Sequence, residues 1–159
     1  AVRKGLLEAA ETLCRQALGE DEKDVLAPAV KSQRLYNLAR IKRQRARFAQ
    51  AGELLGESLA IETTLTGTDS PEVTRRLIEL SLVLAGQGQW QQGAERLTVA
   101  IPHAYQLTDK ERASLGNIVK RYIAQLKKTG QDAQAAGLEA AAAQLDSKAS
   151  VSPGRGTSD

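Results

Sequence analysis

Apolar residues return along this chain at intervals of three and four, with polar residues between them. The clearest run is Leu77, Leu80, Val83 and Leu84, a stripe down one face of an amphipathic helix. Ser70-Pro71-Glu72 precedes it: a hydroxyl that caps free N–H groups, a proline suited to the first helical position, and an acid against the positive helix end. Gly86 and Gly88 follow it and predict a turn. A second helix is expected from 90 to 107, kinked or shortened by Pro102. The same signals predict a hairpin upstream, from Pro28 through a turn at Ala46 to about residue 66. A third is predicted downstream. It starts with Thr108 or Asp109 as cap, turns at Thr129-Gly130 and ends in an alanine-rich helix from Asp132 to Leu145.

The three hairpins are copies of one another. With a step of 42 residues, Phe48 falls on Trp90, Leu55 on Leu97 and Leu59 on Ile101. Ala46, Gly88 and Gly130 keep the same step, as do Ala51, Gly93 and Ala135. A half copy, residues 5–18, matches with a step of 41 and puts Leu7 on Phe48, Ala10 on Ala51 and Cys14 on Leu55. A fixed period in this range signals a solenoid. The expected fold is all-α, an α-solenoid of antiparallel helical hairpins with about seven helices. The expected organisation is a repeat domain over 1–146, built of the half repeat 5–18 and repeats at 28–66, 71–107 and 109–146. A flexible Ser/Gly/Pro-rich tail over 147–159 would follow. Asp132 at the aromatic position and Glu139 near the large apolar one make the third copy more polar, as a terminal cap requires. The half copy is expected to be cut from a longer array.

The residues Asn37-Leu38-Ala39, Phe48, Ala51, Leu55 and Ser58-Leu59-Ala60-Ile61 resemble the tetratricopeptide repeat (TPR) family, in its 42-residue, kinesin-light-chain-like variant. The connector from Leu65 to Val73, with Ser70-Pro71, is similar to that variant's linker. The resemblance implies a right-handed superhelix whose concave groove is lined by the first helix of each repeat. By alignment it places Gln33, Tyr36, Asn37, Arg40 and Arg43 in that groove, then Arg75, Ile78, Glu79 and Leu82, then Asn117, Lys120, Arg121, Ala124 and Lys127. It implies a non-catalytic scaffold that binds a protein or peptide, acidic and with apolar anchors. Small residues at 51, 93 and 135 are expected to let paired helices approach, and Phe48 and Trp90 to fill the gap between repeats.

Composition narrows the chemistry. Ala and Leu dominate a 42% hydrophobic chain that is only 3% aromatic, which favours helices over strands. The net charge of +3 is too small to imply nucleic acid. The run Arg40-Ile41-Lys42-Arg43-Gln44-Arg45-Ala46-Arg47 holds five cations. It is either a solvated face at a helix C-terminus or a binding surface, with weak nucleic-acid binding as an alternative use. A single histidine, His103, and a single cysteine, Cys14, leave little for metal sites or catalytic triads. No phosphate-loop or dinucleotide fingerprint occurs, so no cofactor is expected. No apolar run reaches the ~20 residues of a membrane span. The half repeat offers an apolar face for self-association, an alternative function.

Overall fold

The computed structural model describes residues 2–21 and 27–150. Seven α-helices and one 3-10 segment, without a strand, make up these residues. They are α1 (Val2–Asp21), α2 (Pro28–Gln44), α3 (Phe48–Thr66), α4 (Pro71–Gly86), α5 (Trp90–Ala100), the 3-10 segment Ile101–Gln106, α6 (Asp109–Lys128) and α7 (Asp132–Ser150). The hairpins are α2/α3, α4/α5 and α6/α7, and α3 and α5 join each to the next. α1 packs on α2. The expected break at Pro102 is real: α5 stops at Ala100, and the chain tightens into the 3-10 segment. The expected tail start at 147 falls inside α7, whose backbone stays helical to Ser150. The rest of that segment lies outside the described residues.

Local chemistry sets the boundaries. Ser70 Oγ accepts from Val73 N at 3.1 Å. Thr108, of the two residues expected as cap, forms a full capping box with Glu111. The three hairpin turns share one geometry. Ala46, Gly88 and Gly130 have φ of 59°, 74° and 76°. In each, the following N–H (Arg47, Gln89, Gln131) donates to a carbonyl five residues back (Lys42, Leu84, Leu126) at 2.8 Å.

Packing follows the repeat. Leu55 and Leu97, one period apart, have no exposed surface, and each contributes roughly 2 kcal/mol by burial. In the third copy Leu138 is buried instead, while Glu139 faces outward to Lys127. Phe48 lies against Gly86, where an added Cβ would come within 2.3 Å of its ring. Gly93 also makes room for the next hairpin. The space beside it is filled by Tyr122 of the next hairpin, whose hydroxyl lies 1.8 Å from where a Cβ would be. Tyr122 donates to Ser81 O and meets Trp90 edge-on, with ring centroids 4.9 Å apart. Trp90 and Phe48 thus fill inter-repeat space as expected.

Two polar features inside the packing have no apolar-pattern signature. Arg76 is 1% exposed. Its Nε donates to Ser58 Oγ at 2.8 Å, its Nη1 to Glu72 O at 2.8 Å and its Nη2 to Gln33 Oε1 at 3.3 Å, and Glu62 lies 3.5 Å away. Ser58 and Ser32 exchange hydrogen bonds behind it, so α2, α3 and α4 are tied through one guanidinium. The second feature is Glu11 on α1, 2% exposed. It accepts from Lys42, Arg45 and Arg15. Burial alone would raise its pKa. Hydrogen bonds from Lys42 and Arg45, with the charges of Lys42 and Arg15, reverse that and hold it at about 2. α1 therefore docks through a buried carboxylate, while Val2, Leu6 and Leu13 stand 78%, 66% and 66% exposed.

Candidate functional site

The first helices of the three hairpins, α2, α4 and α6, line a groove of about 280 Å³. α2 supplies Tyr36, Arg40 and Arg43, and α4 supplies Arg75, Ile78, Glu79 and Leu82. The far wall is Leu107 with Lys110, Glu111, Ser114 and Ile118. Seven of the fourteen residues expected in the groove line it: Tyr36, Arg40, Arg43, Arg75, Ile78, Glu79 and Leu82. Gln33 and Asn37 sit on the exposed edge of α2, where Gln33 Nε2 donates to Asn37 Oδ1 at 3.0 Å.

The far wall differs from the one expected. Lys120 lines a separate depression with Asp109, Arg112 and Leu145. Lys127 pairs with Glu139 of α7 at 2.6 Å. Arg121 lines a second cleft, which also includes Arg43 and Leu82. The reason is geometric. Residues 36, 78 and 120 are repeat equivalents, and the first two face the next first helix along the array. Among the described residues no such helix follows α6, so Lys120 faces outward. The wall itself is built by Lys110, Glu111, Ser114 and Ile118, which precede Lys120 in the same helix.

The groove's charges are largely paired across the hairpin boundary. Arg43 donates to Glu79 through Nε and Nη2, and Arg40 Nε lies 3.9 Å from the same carboxylate. Arg75 meets Glu111 with two bonds, of 2.7 and 3.3 Å. The Arg75 bonds, acting against burial, and the bond from Thr108 N hold Glu111 at about 2. Both pairs join residues 36 apart, so they brace neighbouring first helices side by side. Lys110 makes no ion pair among the described residues and is exposed. Tyr36 is half-buried under two guanidinium groups, with Arg40 and Arg76 at 5.6 and 4.8 Å from its ring. Burial, with Glu79 and Glu111 assisting, pushes its phenol pKa up. Four cations against two carboxylates leave the groove mildly positive around the apolar surface of Ile78, Leu82, Leu107 and Ile118.

The basic run is divided by this arrangement. Lys42, Arg45 and Arg47 point to Glu11, and Arg40 and Arg43 to Glu79. Alternate helix faces explain the split, and neither carboxylate was legible as its partner. Among the candidates for other chemistry, His103 Nε2 lies 3.4 Å from Asp69 Oδ1. Burial and the Glu11 charge push the Cys14 thiol up, away from the reactive thiolate. No cluster able to hold a metal ion occurs among the described residues, and none of their helices is long and apolar enough to cross a membrane.

These hairpins define an α-solenoid of helical repeats. More particularly, the fold is TPR-like, of the kinesin light chain kind. BtubC (BKLC) from P. vanneervenii superposes with a TM-score of 0.72 over 98% of this chain, at 19% identity. Kinesin light chain TPR-like repeats from Podospora anserina superpose with a TM-score of 0.62 over 94% of this chain and 92% of theirs, at 16% identity. The chain spans 63% of the length of BtubC. No family model and no curated protein matches its sequence.

Proposed function

We propose that this chain is a non-catalytic scaffold whose concave groove holds a segment of a partner protein, apolar at its centre and acidic at its flanks. The observation that carries the proposal is the groove itself: Ile78, Leu82, Leu107 and Ile118 present an apolar strip between Arg40 and Lys110. An extended or helical segment brings side chains into such a strip, and surplus cations at the rim speed encounter with an acidic partner more than they tighten the complex. Nucleic acid is disfavoured because the run 40–47 is held by Glu11 and Glu79 rather than presented as a free cationic strip.

A random peptide library displayed against the whole chain tests this. Selected sequences are expected to combine acidic and large apolar residues, and to bind at least tenfold more weakly to the Arg40→Glu/Lys110→Glu variant. Both side chains are exposed, so helicity by circular dichroism stays constant. Selection without acid or apolar enrichment, or equal binding to the variant, overturns the proposal.

The outward apolar residues of α1 favour a second role, self-association. Light scattering at rising concentration is expected to show a dimer that Leu6→Gln/Leu13→Gln abolishes. A wild-type monomer throughout rules this role out.

A further inference from the structure

Beside the groove, and continuous with it through Arg43 and Leu82, lies a cleft of about 340 Å³ at the hairpin-turn edge. Arg3 of α1, Arg43 of α2 and Arg121 of α6 line it, and no acidic side chain does. In this it differs from the groove, whose arginines face Glu79 and Glu111. Arg43 is already engaged by Glu79. Arg3 and Arg121 are exposed and make no ion pair among the described residues. Two uncompensated guanidinium groups therefore border one concavity. Its apolar side is formed by the half-buried rings of Phe48 and Trp90, and Gly86 lets the Phe48 ring lie directly on the α4 backbone.

We infer that this cleft is a binding site for a phosphate monoester carried on an apolar or aromatic stem. The charge matches: a phosphate monoester near neutral pH carries about −1.5 to −2, and two free guanidinium groups meet it, where a single carboxylate would leave one unpaired. The chemistry matches as well. Guanidinium offers planar paired donors to phosphate oxygens, and several arginines around one site are the common means of reading a phosphorylated group. Phe48 and Trp90 take the stem. The site does not rest on the peptide reading of the groove, since neither Arg3 nor Arg121 lines that groove.

Trp90 is the chain's one tryptophan, so its emission, excited at 295 nm, a wavelength phenyl phosphate does not absorb, reports on this cleft alone. Titration of the whole chain with phenyl phosphate is expected to give a saturable change. Arg3→Gln and Arg121→Gln are each expected to weaken it about tenfold, in the range of a charge-assisted hydrogen bond. Lys120→Gln leaves it unaltered. Benzenesulfonate, a monoanion of similar shape, is expected to bind more weakly. A phosphotyrosyl peptide with neutral flanks distinguishes the sources: tighter binding than phenyl phosphate assigns a partner's modified side chain, and equal or weaker binding assigns a small free ester. No saturable change in the wild type, or undiminished affinity in both the Arg3→Gln and the Arg121→Gln variants, overturns the assignment.

Discussion

Ala46 holds a backbone conformation that its two repeat counterparts leave to glycine. Its φ of 59° matches the 74° and 76° of Gly88 and Gly130, and a side chain at such a φ costs roughly 1–2 kcal/mol. Part of that is offset because glycine loses more chain entropy on folding. Ala46→Gly is therefore expected to raise stability by about 0.5–1 kcal/mol, read as a higher urea midpoint with an unchanged slope. A lower midpoint would show that the turn is not strained. The turn's position was legible from its period, but the strain was not, because nothing in a sequence distinguishes an alanine at negative φ from one forced positive. Arg76 was invisible in the same way. A guanidinium at a core position reads as an interruption of the apolar stripe until Ser58, Glu62 and Tyr36 are seen around it.

Among the elements, α1 has the simplest attachment. It packs on α2 through Glu11 and a hydrogen bond from Arg34 Nη1 to Ala17 O at 3.1 Å. Removing one member of a buried charge pair costs about 3–5 kcal/mol. Glu11→Gln is expected to release α1, with amide protection lost from α1 and kept in α6. Equal loss in both helices would mean that the chain unfolds as one unit. Acid should act in the same place. The Glu11 pKa is lowered on folding, from its usual 4.5 to about 2. The protonated form is thus disfavoured in the docked state, and the stabilisation is complete above about pH 4.5. It is lost as pH falls towards 2. The glutamine variant, having no carboxyl there, should show little of that acid loss. The helices themselves were legible because their caps are local chemistry: Ser70, Thr108 and the turn residues act within four positions of themselves. Two partners of Glu11, Lys42 and Arg45, stand 31 and 34 positions away, and only the folded chain brings them to it.

At the scale of the whole molecule, the near wall and floor of the groove were legible and the far wall was not. Transfer by period assumes that every first helix has a successor, and that holds for α2 and α4 but not, among the described residues, for α6. The error displaced the expected basic wall from Lys110 to Lys120. It also split the expected cations: Arg121 belongs to the arginine cleft, and Lys127 to a contact with Glu139 within its own hairpin. The mild net charge of +3 hides a sorted distribution. Most of the basic run binds internal carboxylates, while Lys110 in the groove and Arg3 and Arg121 in the cleft make no ion pair among the described residues.

The contact of Tyr122 with Gly93 carries a meaning for how such an array can change over generations. Its counterpart one hairpin earlier is Leu80, which packs against the cluster containing Ala51, so tyrosine and glycine stand at one junction where leucine and alanine stand at the other. The hairpins are keyed pieces rather than identical beads. A recombination event that deleted the middle hairpin would bring Tyr122 against Ala51, with its hydroxyl aimed at an atom already there. Duplications and deletions at this junction must carry both halves of the key if Tyr122 is to find the space that Gly93 leaves open.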